Sequence, residues 1–131
     1  MKDYFFSTHV YFADTDAGGV MYYANYLRLA EAARAEMLRE CGFSSSTLRQ
    51  ECGILIVVKR VEIDYKRPAS LDDSLKVVTR VEKMGGTSLQ LIQRVTRGAD
   101  DICTMMITLV CVGSENLRPV RWPEKVFQAL T

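Results

Sequence analysis

The sequence predicts an α+β fold in which one long helix lies against an antiparallel sheet. The prediction depends on a strand-like N-terminal run, a helical apolar period over residues 23–41, and further strand-like segments joined by short turns. Strands that follow a helix in consecutive hairpins are typical of this class. The chain has 131 residues, 48% of them hydrophobic and 25% charged. This length and composition predict a single domain over residues 1–131.

The long helix is predicted over residues 23–41. Alanine is frequent in this segment, and glycine and proline do not occur, so local propensity agrees with the apolar period. Gly42 is a natural C-terminal stop. The alanines predict close packing against a flat surface such as a sheet. Apolar residues at spacings of three and four are Tyr23, Tyr26, Leu27, Ala30, Ala33, Met37 and Cys41.

The strands are predicted from alternation and from turn residues. They cover residues 4–12, 53–67, 75–83, 88–97 and 102–112, with a short second helix over residues 44–52. Gly85 and Gly86 mark one hairpin, and residues 98–101 mark the next. The continuous apolar run 54–58 is expected to be buried, as plain core or as the wall of an acyl pocket. Exposed sheet edges in such a fold favour association between copies.

Composition excludes several classes of protein. The net charge of +1 gives no overall basic surface for nucleic acid. His9 is the single histidine, so zinc motifs with two histidines are excluded, and a general acid or base is expected to be a carboxylate. The four cysteines form no C-x-x-C pair, and we expect reduced thiols. Neither a signal peptide nor a membrane span is visible, which predicts a cytoplasmic protein.

The main candidate for chemistry is the loop D-T-D-A-G-G at residues 14–19, just before the long helix. Backbone N–H groups at a helix N-terminus can stabilise an oxygen that gains negative charge. The carboxylate would attack a carbonyl carbon or activate a water molecule. Alternatively, Asp14 and Asp16 only form the turn. A calcium loop is a weaker alternative, because Asn25 stands where that motif has Glu.

Residues 10–38, VYFADTDAGGVMYYANYLRLAEAARAEML, closely resemble the hot-dog-fold acyl-CoA thioesterases of the 4-hydroxybenzoyl-CoA thioesterase type. Within these they look most like the Tol-Pal system-associated acyl-CoA thioesterase group. The resemblance continues through Y-x-x-P-A-x-x-D-D at residues 65–73 and G-T-S-L at residues 86–89. It implies a long central helix wrapped by a five-stranded antiparallel sheet. It also implies dimers, often paired into tetramers, with active sites at the subunit interface.

The resemblance implies roles for individual residues. Asp16 matches the catalytic carboxylate of the family, and the N–H of Tyr23 matches the group that polarises the thioester carbonyl. The Tol-Pal-associated group usually has His at position 23 and often has Arg at position 85, where this chain has Tyr23 and Gly85. Without Arg at position 85, a contact with a coenzyme A phosphate is expected either to be lost or to be taken over by Lys83. The residues expected to bind substrate are Gly19, Lys83, Thr87 and Ser88.

We therefore expect a thioester hydrolase that releases a carboxylic acid and free coenzyme A and needs neither metal nor cofactor. Attack by the carboxylate and attack by water both remain open. The expected partners are the acyl-CoA substrate, further copies of the chain, and cell-envelope or phospholipid-synthesis proteins at a peripheral level. One alternative is a non-catalytic acyl-CoA or acyl-chain binding protein of an envelope system. Another is a hot-dog dehydratase or isomerase. These enzymes generally use a His near the central helix, where this chain has none.

Overall fold

The fold has two layers, a five-stranded antiparallel sheet and a long helix that crosses one of its faces. The computed structural model describes residues 2–131. The elements in chain order are β1 (Asp3–His9), α1 (Asn25–Glu40), α2 (Ser45–Cys52), β2 (Ile54–Tyr65), β3 (Ser74–Met84), β4 (Ser88–Arg97), β5 (Asp100–Gly113) and α3 (Glu124–Leu130). The strand order is β1-β3-β4-β5-β2, so the predicted α+β architecture is confirmed.

Helix α1 supplies the helical side of the core and packs on β1 and β3. Ala30 and Ala33 are 0% and 3% exposed, as expected for small residues that let a helix approach a sheet. The approach is close enough for Nε2 of Gln93, on β4, to donate a hydrogen bond of 3.0 Å to the Ala30 carbonyl. Within residues 2–131, no helix has both the length and the apolarity to cross a membrane.

The apolar face of α1 differs in part from the prediction. Tyr23 and Leu27 are exposed, whereas Leu29 and Leu38 are buried. The reason is that α1 begins at Asn25, so Tyr23 lies two residues before the first helical turn. With the helix docked through its alanines, the Leu29 side faces the sheet and Leu27 faces away.

The predicted boundaries are confirmed where glycine turns fix them. The β3–β4 hairpin turns at residues 85–87 and the β4–β5 hairpin at Gly98 and Ala99. The first strand ends at His9 rather than at residue 12. Beyond Val10, whose N–H donates to the Asp73 carbonyl at 2.9 Å, the chain enters a 3-10 turn at Phe12–Asp14.

Strand β2 forms one edge of the sheet, and among the strands of residues 2–131 it pairs only with β5. Val57 and Val58 are 39% and 49% exposed, so the expectation that run 54–58 is buried is correct for Ile54 and wrong for these two valines. A β-bulge between Val58 and Arg60 disturbs the alternation at this point. The apolar character of the run reflects an open edge rather than a covered central strand.

Candidate active site

The loop that precedes α1 is held by Asp14, whose side chain is buried. Its Oδ2 accepts a hydrogen bond of 2.9 Å from the Tyr11 N–H, and its Oδ1 pairs with the Arg28 guanidinium. Its carbonyl oxygen accepts bonds of 2.9 Å from the Tyr22 N–H and from the Asn25 side chain. Asp14 is therefore the structural aspartate of the D-T-D run. This agrees with the alternative interpretation of Asp14 as a residue that forms the turn.

Asp16 is exposed on the same loop. Its Oδ1 accepts a hydrogen bond of 2.8 Å from the Gly18 N–H. Its backbone closes a narrow hairpin. The Asp16 N–H donates a hydrogen bond of 2.9 Å to the Val20 carbonyl, and the Asp16 carbonyl accepts one of 3.1 Å from the Gly19 N–H. Gly19 has φ of +81°, a conformation that favours glycine. The hairpin thus presents one carboxylate to solvent with one oxygen fixed.

Tyr23 lies between this hairpin and the first turn of α1. Among residues 2–131 we find no hydrogen-bond acceptor for the N–H groups of Tyr23 and Ala24, while the Met21 N–H donates to the Ala69 carbonyl at 2.7 Å and the Tyr22 N–H to Asp14. The positive end of the helix dipole lies at the same place. Two unbonded donors therefore stand a short distance along the chain from the Asp16 carboxylate.

Aromatic rings surround this helix entrance. The Tyr23 ring centroid lies 4.8 Å from that of Tyr22 and 6.3 Å from that of Tyr65, and Tyr65 lies 5.5 Å from Tyr26. Burial raises the pKa of Tyr65 above its ordinary value. A shallow cavity of about 290 Å³ opens here, lined by Met21, Tyr23, Tyr26, Tyr65, Lys66, Arg67 and Pro68. The resemblance gave no role to Tyr65, and its Y-x-x-P motif was the only signal in the sequence.

The other predicted substrate-binding residues lie near the far end of the sheet. Val20 bridges to Ser70, just before β3, whereas Lys83 is near the last residue of β3 and Ser88 begins β4. At about 3.3 Å per residue, the 11 residues of β3 separate these ends by about 33 Å. Within one copy of the chain, Asp16, Gly19 and Tyr23 therefore lie in the segment before α1, at the end of the sheet opposite to Lys83, Thr87 and Ser88.

The far end contains a basic side chain near Gly86. The guanidinium of Arg121 lies 3.5 Å from the position that a Cβ on Gly86 would occupy. The Trp122 N–H donates to the Gly86 carbonyl at 3.0 Å, and the Trp122 indole donates to the Ser88 carbonyl at 3.1 Å. Arg121 thus supplies a cation at the hairpin where Gly85 lacks one.

A groove of about 250 Å³ runs between the helices and the edge strand β2. Residues 54–58 line one side of it, and Glu31 and Arg34 line another. Arg34 Nη1 donates a hydrogen bond of 3.1 Å to Gln93 Oε1 on β4. Burial lowers the pKa of Arg34, and Glu31 partly offsets this. The groove combines an apolar wall with one half-buried cation.

The cysteines lie apart from this chemistry. All four carry free thiols. Burial raises the pKa of Cys103 and of Cys111 to about 11, which keeps both protonated and unreactive at neutral pH. Residues 2–131 contain no group of three His, Cys, Asp or Glu side chains placed to hold a metal ion. The loop that carries Asp16 remains the main candidate for chemistry.

Residues 10–130 match the family model of the thioesterase-like superfamily, and the chain belongs to this superfamily. It is 40% identical over 121 residues to the acyl-CoA thioesterase YbgC of Haemophilus influenzae, covering 92% of this chain and 89% of that protein. It is 38% identical to the acyl-CoA thioester hydrolase YbgC of Escherichia coli O157:H7, covering 89% and 87% of the two chains.

A solved structure of similar fold is the probable thioesterase from Bartonella henselae. It superposes with a TM-score of 0.88 at 32% identity, covering 93% of this chain and all of that one. The gentisyl-coenzyme A thioesterase BH1999 shares the fold with a TM-score of 0.85 at 24% identity. The hot-dog fold expected from the motif is confirmed.

Proposed function

We infer that this protein is an acyl-CoA thioesterase, which hydrolyses an acyl-CoA to a carboxylic acid and free coenzyme A. The observation that carries the inference is an exposed Asp16 carboxylate on the loop that leads to the unbonded Tyr23 N–H, in a chain of this superfamily. A carboxylate and an oxyanion donor are the two parts that acyl transfer to water requires.

Asp16 acts on the thioester carbonyl by one of two routes. In the first, its carboxylate bonds to the carbonyl carbon, the C–S bond breaks, coenzyme A leaves as thiolate, and water hydrolyses the mixed anhydride. In the second, Asp16 takes a proton from a water molecule as the water oxygen adds to the carbonyl carbon, and collapse of the tetrahedral intermediate expels the thiolate. In both routes the Tyr23 N–H stabilises the carbonyl oxygen as it becomes negative.

The complete site is formed by two copies of the chain that pair through β2. The support is that β2 is an edge strand with exposed Val57 and Val58. Antiparallel pairing about a two-fold axis sets the end of β2 near Tyr65 beside the start of β2 in the other copy. The start of β4 is two strands further, so the Tyr65 end of β2 in one copy and Ser88 of the other lie about three strand spacings apart, or about 14 Å.

In this arrangement the residues near β4 bind the coenzyme A part of the substrate. Thr87 and Ser88 offer polar groups at the hairpin, and Lys83 and Arg121 offer positive charge for phosphate. Gly19, on the copy that supplies Asp16, allows the backbone of that loop to approach the thioester. The groove beside residues 54–58 receives the acyl group, since its wall is mostly apolar and it opens at the same edge.

The finer resemblance is also part of the proposal. The loop and the Y-x-x-P motif support the 4-hydroxybenzoyl-CoA thioesterase type, with a place in the Tol-Pal-associated group, a cytoplasmic location, and dimers paired into tetramers. Contact with cell-envelope or phospholipid-synthesis proteins would be peripheral. Neither a metal nor a cofactor takes part. Cross-linking in cells followed by fractionation tests the location and these partners.

Release of free thiol from a panel of acyl-CoAs tests the function. We expect turnover by the wild type and a loss of about 10³-fold in kcat for Asp16→Asn, because the acid–base or nucleophilic group is gone. Asp101→Asn, which removes a surface carboxylate paired with Arg94, is the matched control and keeps wild-type rates.

Absence of thiol release by the wild type on every acyl chain, with binding of an acyl-CoA retained in calorimetry, would make the protein a non-catalytic binder. Undiminished release by Asp16→Asn would remove Asp16 from the mechanism and leave the thioesterase assignment intact.

A further inference from the structure

Tyr65, the last residue of β2, reaches across to the segment that carries the unbonded N–H groups. Its hydroxyl donates a hydrogen bond of 3.2 Å to the Tyr23 carbonyl oxygen. This carbonyl belongs to the same peptide unit as the Ala24 N–H, so the bond restrains the plane of that unit. The only other donor to this oxygen among residues 2–131 is the Tyr26 N–H, at a long 3.4 Å.

The ring of Tyr65 makes two edge-to-face contacts with neighbouring rings. It meets the Tyr23 ring at an interplanar angle of 88° and the Tyr26 ring at 72°. Edge-to-face packing of this kind restricts both rings. The hydroxyl of Tyr65 is therefore held at a defined position against the Tyr23 carbonyl.

Tyr26 connects this contact to the rigid part of the fold. It is only 3% exposed, and its hydroxyl accepts a hydrogen bond of 3.1 Å from the Ala69 N–H. The Ala69 carbonyl in turn accepts the Met21 N–H at 2.7 Å. Residues 21–23 are thus tied to the β2–β3 connection at Met21 and to the end of β2 at Tyr23.

We propose that Tyr65 is a positioning residue, whose hydroxyl bond to the Tyr23 carbonyl holds the Tyr23–Ala24 peptide unit and so keeps the Ala24 N–H, and through the Tyr23 backbone the adjacent Tyr23 N–H, directed at the thioester oxygen. The inference depends on the function proposed above. A preorganised donor stabilises charge in the transition state because it need not reorient during the reaction. Two soft dihedrals per residue would otherwise let this short turn rotate. The raised pKa of Tyr65 keeps its hydroxyl protonated and able to donate.

Tyr65→Phe tests the proposal, since it removes the hydroxyl and retains the ring contacts. We expect kcat for acyl-CoA hydrolysis to fall about tenfold, less than the loss on deleting an oxyanion donor outright, while KM stays within about twofold. Tyr65→Leu, which also removes the ring, should lower kcat further. Tyr4→Phe is the matched control: it removes a strand tyrosine hydroxyl that contacts Cys41 Sγ at 3.4 Å, and it should keep wild-type kinetics.

A second measurement separates this inference from the proposed function. In ¹H–¹⁵N spectra, Tyr65→Phe should shift the amide signals of Tyr23 and Ala24, and Tyr4→Phe should leave them in place. Unchanged signals of both amides in Tyr65→Phe would overturn the positioning role, even in a protein without turnover.

The kinetic outcomes are equally distinct. Wild-type turnover with an unaltered kcat in Tyr65→Phe would overturn the inference and keep the proposed function. A rise in KM at constant kcat would also overturn it, because Tyr65 would then contribute to ground-state binding only. No turnover by the wild type would contradict the proposed function, and the amide signals alone would then decide the role of Tyr65.

Discussion

Two aspartates separated by one residue have different environments in this protein. Asp14 is 6% exposed and its carboxylate is bonded to the Tyr11 N–H and Arg28, whereas Asp16 is exposed and its carboxylate is bonded, among residues 2–131, only to the Gly18 N–H. A buried carboxylate with its partners in place maintains the shape of the loop. An exposed carboxylate with one oxygen fixed is available to react. Substitutions at the two positions should therefore separate stability from activity.

Asp14→Ala should lower the free energy of unfolding by about 2 kcal/mol, because it leaves the Tyr11 N–H without its acceptor and Arg28 without its counter-ion. Urea denaturation measures this change. Glu36→Gln breaks an exposed pair with Arg39 and should cost less than about 0.5 kcal/mol. An Asp14→Ala protein as stable as the wild type would contradict the structural role.

The D-T-D run was enough to predict a candidate carboxylate in this loop, but the local pattern does not show which of the two aspartates is buried. Turn propensity is the same for both aspartates. What distinguishes them is Arg28, one turn into α1, and the 3-10 turn that buries Asp14. Both depend on tertiary contacts that no local pattern encodes. The same reason hid Tyr65, whose partners are 42 and 39 residues away in Tyr23 and Tyr26.

At the scale of elements, prediction was accurate where the chain itself defines a boundary. The limits of β4 match the predicted residues 88–97, since glycines lie on both sides. The end of β1 and the start of α1 were displaced, because a buried aspartate and a turn at residues 22–24 interrupt the periodic pattern. The exposure of Val58 was missed because the position of β2 at an edge follows from sheet order, which hydrophobicity does not encode.

The connection into β3 is joined to the end of β4 by charge. Asp73 Oδ2 accepts a hydrogen bond of 2.8 Å from the Ser70 N–H and one of 2.7 Å from the Arg97 guanidinium. The Ser70 bond and then Arg97 hold the pKa of Asp73 below its ordinary value of 3.8. Its contribution to stability is therefore fully present above pH 3.8 and is lost as the pH falls through the lower value of the folded state.

Asp73→Asn should flatten the acid limb of the stability curve. Between pH 5 and about pH 2, the wild type should lose more stability than this variant, because the unfolded chain takes up the proton first. Thermal melts across that range make the comparison. Asp72→Asn, at an exposed neighbour with positive φ that Asn tolerates, should follow the wild-type curve. Parallel curves for wild type and Asp73→Asn would be the contrary result.

At the scale of the whole molecule, the distance between the two groups of predicted site residues is the main finding. Asp16 and Tyr23 lie at one end of the sheet, and Lys83, Thr87 and Ser88 at the other. The motifs predicted both groups, but sequence spacing does not show that they lie at opposite ends of one sheet. The two edge strands also expose different apolar side chains. Strand β2 exposes two adjacent valines, and β1 exposes Phe5.

Val58→Lys should weaken pairing between copies by about a hundredfold in Kd, because the charge would be buried without a partner. Sedimentation velocity should then show monomers at concentrations where the wild type is associated, and thiol release should fall in parallel. Phe5→Lys places the same charge on β1 and should leave the β2 pairing intact. A fully associated and active Val58→Lys protein would place the interface elsewhere.

The separation of Asp16 from Ser88 has a genetic consequence. In the proposed dimer, each site takes its carboxylate from one copy and its hairpin from the other. If a chain with Asp16→Asn is mixed with a chain damaged at Thr87 and Ser88, each mixed dimer has one site with both defects and one site with none. Two inactive proteins would then complement each other, with about a quarter of wild-type activity at random reassortment.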